Sequence, residues 1–189
     1  GYFICDAGRL SYAKENEKTH FNPLIRGKVS EYEYAQSKLL RLLKRHLSKT
    51  LILLGGDLSV EEMARCVYLS KQYNLFLSAY NAVRMDEHFG DDFLKCADRS
   101  ANGRALNILG IDTSLAFFEK ALSEVELVIM IGRDDNHEIA KKLHEQTSVI
   151  VSAYDVGACE AIELVLPMAS HLSRAGSFIN KDGYVQHSA

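Results

Sequence analysis

The sequence predicts an α/β protein: a mostly parallel sheet covered by helices, with a small β hairpin near the C-terminus. Three observations carry this. Short runs such as Thr50–Leu54, Leu127–Ile131 and Leu164–Pro167 are apolar throughout, as strands buried on both faces must be. Segments with apolar residues at three-to-four spacing separate them. Several runs end in glycine or acidic residues, the chemistry of a strand-to-helix turn.

Composition agrees with a folded domain. The chain has 189 residues, with 47% hydrophobic and 25% charged residues. That suffices for a substantial core and argues against disorder. The net charge of −3 gives no general attraction to nucleic acid or anionic lipid. Cys5, Cys66, Cys96 and Cys159 stand singly, with no CxxC pair. They read as reduced thiols and not as a disulfide framework or self-contained metal site. The apolar runs fall well short of the roughly 20 residues a spanning helix needs, and with no charged segment leading into an apolar run at the start, a signal peptide is not expected.

The elements follow in order. Residues 1 to 30, punctuated by Gly8, Pro23 and Gly27, read as extended or looped. Glu31 to Lys49 reads as a helix, with Ala35, Leu39, Leu42, Leu43 and Leu47 on one buried face and a capping box of Ser30 and Glu33. Thr50–Leu54 is a strand, closed by Gly55-Gly56-Asp57. Ser59 and Glu62 form a second capping box, opening a helix to Tyr73. Leu75 to Ala79 is the next strand. Arg84 to Asp98 is expected to be partly helical, and Asn102 to Gly110 to be a loop. Thr113 to Val125 is a helix capped by Asp112 or Thr113, and Glu126 to Ile131 a strand followed by Gly132. Asp134 to Asn136 offer caps for a helix to Glu145. Strands at Ser148–Ala153 and Leu164–Pro167 precede a hairpin built on Phe178-Ile179 and Tyr184-Val185.

Ligands of parallel sheets bind at the carboxyl ends of strands. Two turns there are candidates: Gly55, Gly56 and Asp57, and Gly132 with Asp134. Glycine lets a ligand approach the backbone, and the following helix N-terminus favours anions. Neither turn matches GxGxxG or the P-loop, and their aspartates would repel phosphate while still accepting ribose or guanine hydrogen bonds. Ordinary capped turns are the alternative. His137 and His144 are seven residues apart, about 10 Å along a helix, too far to share one ion. Arg41, Lys44, Arg45 and Lys49 make one helix face basic, but no interleaved aromatics suggest base stacking. No nucleic-acid partner is expected.

Four segments carry a resemblance: Gly1 to Tyr12 to an "ICDxGRxxY" stretch, Asn16 to Gly27 to an "RxxxPLxR" stretch, Asp98 to Arg104 to a loop ending in "NxxG", and Leu164 to Gln186 to "VLPxxxxxExxGTFxNxxGRxQ", the longest and most specific match. In these segments the chain resembles the large iron–sulfur subunit of bacterial NADH-quinone oxidoreductase, respiratory complex I, of the molybdopterin oxidoreductase superfamily.

The resemblance implies a molybdopterin oxidoreductase-like core over residues 31–189, preceded by an extended remnant of the iron–sulfur segment over 1–30. Cys5 matches the fourth ligand of a [4Fe–4S] cluster, whose other three cysteines would precede Gly1. A cluster normally takes four thiolates, so the resemblance implies one only in a longer subunit. In catalytic relatives, turns like those at Gly55, Gly56, Asp57, Gly132 and Asp134 hold the guanosine ends of the pterin cofactor. No molybdenum-ligand motif occurs here, and around Ser173-Arg174 the relatives' glutamate is missing. Molybdopterin and catalysis are therefore not expected. The expected role is an excised, non-catalytic structural domain serving electron transfer from NADH to quinone. Its partners would be other subunits of the peripheral arm, its location cytoplasmic at the inner face of the membrane, without insertion. A fragment of a molybdopterin-dependent oxidoreductase, such as a formate dehydrogenase relative, and an unrelated nucleotide-binding module are the alternatives.

Overall fold

The computed structural model describes residues 22–79, 100–132, 143, 146–153, 160–170, 173–180 and 182–188. The described elements are β1 (Leu24–Ile25), β2 (Lys28–Val29), α1 (Tyr32–His46), β3 (Thr50–Leu54), α2 (Val60–Tyr73), β4 (Phe76–Ala79), α3 (Gly103–Ile108), α4 (Leu115–Glu124), β5 (Leu127–Ile131), β6 (Thr147–Ser152), β7 (Leu164–Pro167), β8 (Gly176–Ile179) and β9 (Val185–Ser188). The expected helix over Arg84–Asp98, the helix after Gly132, Cys5 and Asp134 lie outside the described residues.

The protein is α/β, with a seven-stranded sheet in the order β2-β1-β7-β6-β5-β3-β4 and a separate β8-β9 hairpin. β4, β3, β5, β6 and β7 run parallel. The two-residue strands β1 and β2 add an antiparallel margin beside β7. Among the parallel strands the chain begins at β3, steps outward to β4, then reverses to β5, β6 and β7. The reversal places a topological switch point between β3 and β5, where open α/β sheets bind ligands.

Full burial explains the unbroken apolar runs. Every residue of β3 is buried. Alternate side chains feed opposite faces, as strand geometry requires. Leu51, Leu53, Val128, Met130, Ile150 and Val165 pack with Phe118 and Ala121 of α4. On the other face Ile52 and Leu54 pack with Met63 and Cys66 of α2. Leu127, Ile129, Val149 and Leu164 meet Ala35, Leu39, Leu42 and Leu43 of α1. Each fully buried leucine contributes roughly 1.5–3 kcal/mol relative to exposure. Among the described residues, no helix is long and apolar enough to cross a membrane.

The second capping box forms as expected. Ser59 Oγ accepts from the Glu62 amide at 3.2 Å, and Glu62 Oε2 accepts from the Ser59 amide at 2.8 Å. α2 stops at Asn74, which takes a left-handed conformation with φ 52°, tolerated by asparagine. Four expectations are corrected. Ser30 does not cap α1: the helix starts at Tyr32 with Glu31 at the cap and no side-chain cap bond, the Ser30 hydroxyl donates to Glu31 O at 3.3 Å, and its amide closes the open end of the β1–β2 hairpin on Pro23 O at 2.9 Å. Leu47 leaves the buried face, since residues 47–49 tighten into a 3-10 turn that exposes it. Asn102 to Gly110 is not a loop but carries α3, anchored by buried Ala105 and Leu106. Likewise α4 is capped by Ser114, whose Oγ accepts from the Phe117 amide, while Asp112 holds the Ser114 amide at 2.8 Å.

Candidate functional site at the carboxyl ends of the strands

The structure brings Gly55, Gly56, Asp57 and Gly132 together at the switch point. The Gly55 amide donates to Ile131 O at 2.8 Å, and the Gly132 amide to Val151 O at 3.0 Å. These bonds continue the ladder beyond the strands and interlock both turns. Gly132 has φ +113°, and a Cβ there would sit 2.6 Å from Asp57 Oδ1 and 3.2 Å from Gly55 Cα. Only glycine satisfies both the backbone conformation and the close approach.

The backbone groups that could cradle a ligand are largely committed. Ile131 O takes the Gly55 amide, and Gly56 O accepts from the Asn102 amide at 2.7 Å. At the α2 N-terminus, Ser59 and Glu62 satisfy two of the free donors reciprocally. Glu61 and Glu62 occupy the first turn, where their charge already complements the helix dipole. A diphosphate does not fit this helix end.

The β8–β9 hairpin closes over it. The Arg174 guanidinium lies 2.9 Å from Glu62 Oε2 and 3.0 Å from Oε1 through Nη1, while Nη2 reaches Asp57 O at 3.4 Å and Asp57 Oδ2 at 3.8 Å. Its side chain is 11% exposed. Ser177 contacts Glu61 twice: its amide donates to Oε2 at 2.9 Å and its hydroxyl to Oε1 at 2.5 Å. These bonds hold the Glu61 carboxyl down to about 2 from an ordinary 4.5, the hydroxyl bond being the largest cause. Gly176 passes so close that an added Cβ would lie 2.5 Å from Ser59 Cβ.

Asn102, fully buried, is the hub between turn and hairpin. Its Nδ2 donates to Leu58 O at 2.8 Å and to Ser177 O at 3.3 Å, and its Oδ1 accepts from the Ile179 amide at 2.8 Å. Sequence reasoning missed Asn102, Arg174 and the Glu61–Ser177 pair. Their partners lie 44 to 117 residues away, beyond the reach of spacing arguments. Asn102 before Gly103 was the available signal, a polar residue at a helix start.

Ser177 Oγ also lies 3.0 Å from His187 Nδ1. With its single proton donated to Glu61, the hydroxyl can only accept from the imidazole. The histidine therefore does not act as a base on this serine, and the carboxylate sits on the wrong partner for a nucleophilic triad. Cys66, buried beneath α2, has its thiol pushed up to about 11 by burial and then by the Glu62 charge, which makes it unreactive. Among the described residues, no group of three or more His, Cys, Asp or Glu side chains could hold a metal ion.

At the other end of the sheet, Val67, Lys71, Phe76, Leu77, Leu109 and Phe117 help line an open cleft of about 490 Å3 beside β4. None of the sequence candidates lies there. No protein-family model matches the sequence, and no curated protein matches it.

Proposed function

We infer that this chain is a non-catalytic structural domain of the large iron–sulfur subunit of an NADH-quinone oxidoreductase, packing among other subunits of the peripheral arm. The reading starts from the resemblance of the opening segment and of the tail. The observation that carries its non-catalytic half is Arg174. Catalytic relatives have a glutamate around this position. In the tail motif that glutamate aligns with Ser173, so its carboxylate is missing here. Arg174 beside it joins Asp57 and Glu62 and brings the hairpin over the place where a nucleotide would lie. The molybdopterin oxidoreductase-like core belongs to the same proposal, supported by the parallel sheet and its glycine turns.

Two measurements test the reading. Native electrophoresis of membrane extracts from the source cells, probed with an antibody against this chain, should find it in the band with NADH dehydrogenase activity. Migration apart from that band would overturn the assignment. Elemental analysis of the purified chain should find neither molybdenum nor tungsten, and iron well below the four atoms per chain of a cluster. Stoichiometric metal would instead favour a molybdopterin-dependent oxidoreductase.

A second reading draws support from the switch point itself. A strand order that reverses between β3 and β5, with glycine turns at both carboxyl ends, suits a nucleotide-binding module. Equilibrium dialysis with NAD, ATP and GTP separates the two. Sub-millimolar binding of any of them would displace the scaffold reading.

A further inference from the structure

The β8–β9 hairpin is attached differently from every other strand. It shares no ladder with the seven-stranded sheet. Its buried apolar contribution is Ile179, which packs with Leu58, Met63 and Leu106. Phe178 is only half-buried, and Tyr184 and Val185 point to solvent. What fastens it is polar: Arg174 on Glu62 and Asp57, Ser177 on Glu61, and Asn102 on Ser177 and Ile179. Among the described residues, Arg174 Nε is buried without a partner, which subtracts from what the clasp gains. An element with little apolar burial and a replaceable polar fastening opens at lower free energy than the core.

We propose that the hairpin is a detachable strap over the switch-point crevice, and that Asp57 and Glu62 form a guanidinium-binding cradle whose resident ligand is the chain's own Arg174. Docked, the strap closes the carboxyl end of the sheet against ligands. Undocked, it uncovers the Gly55–Gly56–Asp57 turn and Gly132, and leaves a cradle of matching charge for a guanidinium from elsewhere. Guanidinium is the fitting class because its planar fork turns one nitrogen to Glu62 and another toward Asp57 in a fixed geometry, where an ammonium offers a single nitrogen. The inference stands apart from the assignment to a respiratory complex, since it rests on contacts within this chain.

Hydrogen exchange read at single amides tests it. The Ser177 and Ile179 amides donate to Glu61 and Asn102, so they report docking and not the pairing within the hairpin. In Arg174→Ala they should exchange about 10- to 100-fold faster, the loss of a hydrogen bond to a charged group, while Val128 and Met130 of β5, which report the whole domain, keep slower exchange and a steeper urea dependence. Methylguanidinium chloride at tens of millimolar should slow the hairpin amides again in that variant; choline chloride at equal ionic strength should not. The proposal is overturned if hairpin and β5 amides share one urea dependence, if the hairpin amides do not change, or if the two salts act alike. Two further arms do not depend on that variant folding. Gly176→Ala places a methyl against Ser59 and should release the same two amides with every charged partner intact. In the wild-type chain under low urea, these amides should show a shallower denaturant dependence than β5. Equal dependence would mean the hairpin opens only with the whole domain.

Discussion

Both ends of the sheet carry carboxylates paired with bases, yet the two sets do different things. At the amino ends of β5 and β7, Glu126 meets His46 and Lys49, and Glu163 meets Arg26 and Lys38. The Arg26 and Lys49 side chains lie in water, 67% and 56% exposed, whereas Lys38 and Glu163 are 20% and 18% exposed. At the carboxyl end, Arg174 is 11% exposed and sits between two carboxylates. Solvent screens the Arg26 and Lys49 pairs most and the Arg174 guanidinium least. Four bases on two carboxylates edge one end, and a single guanidinium on two carboxylates fastens the other.

The sharpest way to break the carboxyl end is through its backbone. Gly132→Ala meets both a positive φ and the fixed Gly55 backbone, so it should cost about 2–5 kcal/mol, strain and overpacking together. Thermal or urea unfolding measures it; a loss under about 1 kcal/mol would show the two turns to be less tightly interlocked. Arg174→Ala comes next, at about 1–3 kcal/mol, because it leaves Glu62 and Asp57 without their guanidinium. A wild-type urea midpoint would erase the contrast between the two ends.

Acid gives a smaller and more selective effect. Glu61 has its folded pKa held below the unfolded value, so its contribution is complete above about 4.5 and fades as the pH falls toward 2. Protection of the Ser177 amide should decline through that window, and Glu61→Gln should flatten the decline. At the amino end the expected change is smallest. Arg26→Ala should leave the melting temperature indistinguishable from wild type, although Glu163 raises the Arg26 pKa by its hydrogen bond and charge. A clear drop there would mean that exposed pairs matter to this fold after all.

The middle of the sheet was readable from sequence because burial on both faces writes itself as continuous apolar residues. Thr50–Leu54 and Leu164–Pro167 have the expected bounds, and the Ser59–Glu62 cap starts α2 where a local motif said it would. The turns at Gly55 and Gly132 were also legible, because glycine after a buried strand is a local signal. What closes over them was not. The Ser30 cap failed because the helix starts one residue later, with Glu31 at the cap, and Ser30 closes the β1–β2 hairpin on Pro23. The α3 helix is short and takes its stability from burying Ala105 and Leu106, which local propensity does not reveal. Arg174 reads in sequence as one more surface cation. Its role arises from carboxylates 112 and 117 residues earlier in the chain.

The margins of the large sheet bear on how copies of this protein behave in a crowded solution. Beside β7 the last strand is only two residues long, exposed, and carries Lys28, so it offers an incoming strand little to pair with and a charge to desolvate. The β4 margin has four residues, with Ser78 bridged to Asp112, and the open cleft runs along its amino half. Strand addition is therefore discouraged at each margin by a different device: by Lys28 and short length at β2, and by the Asp112 backbone lying along the carboxyl half of β4.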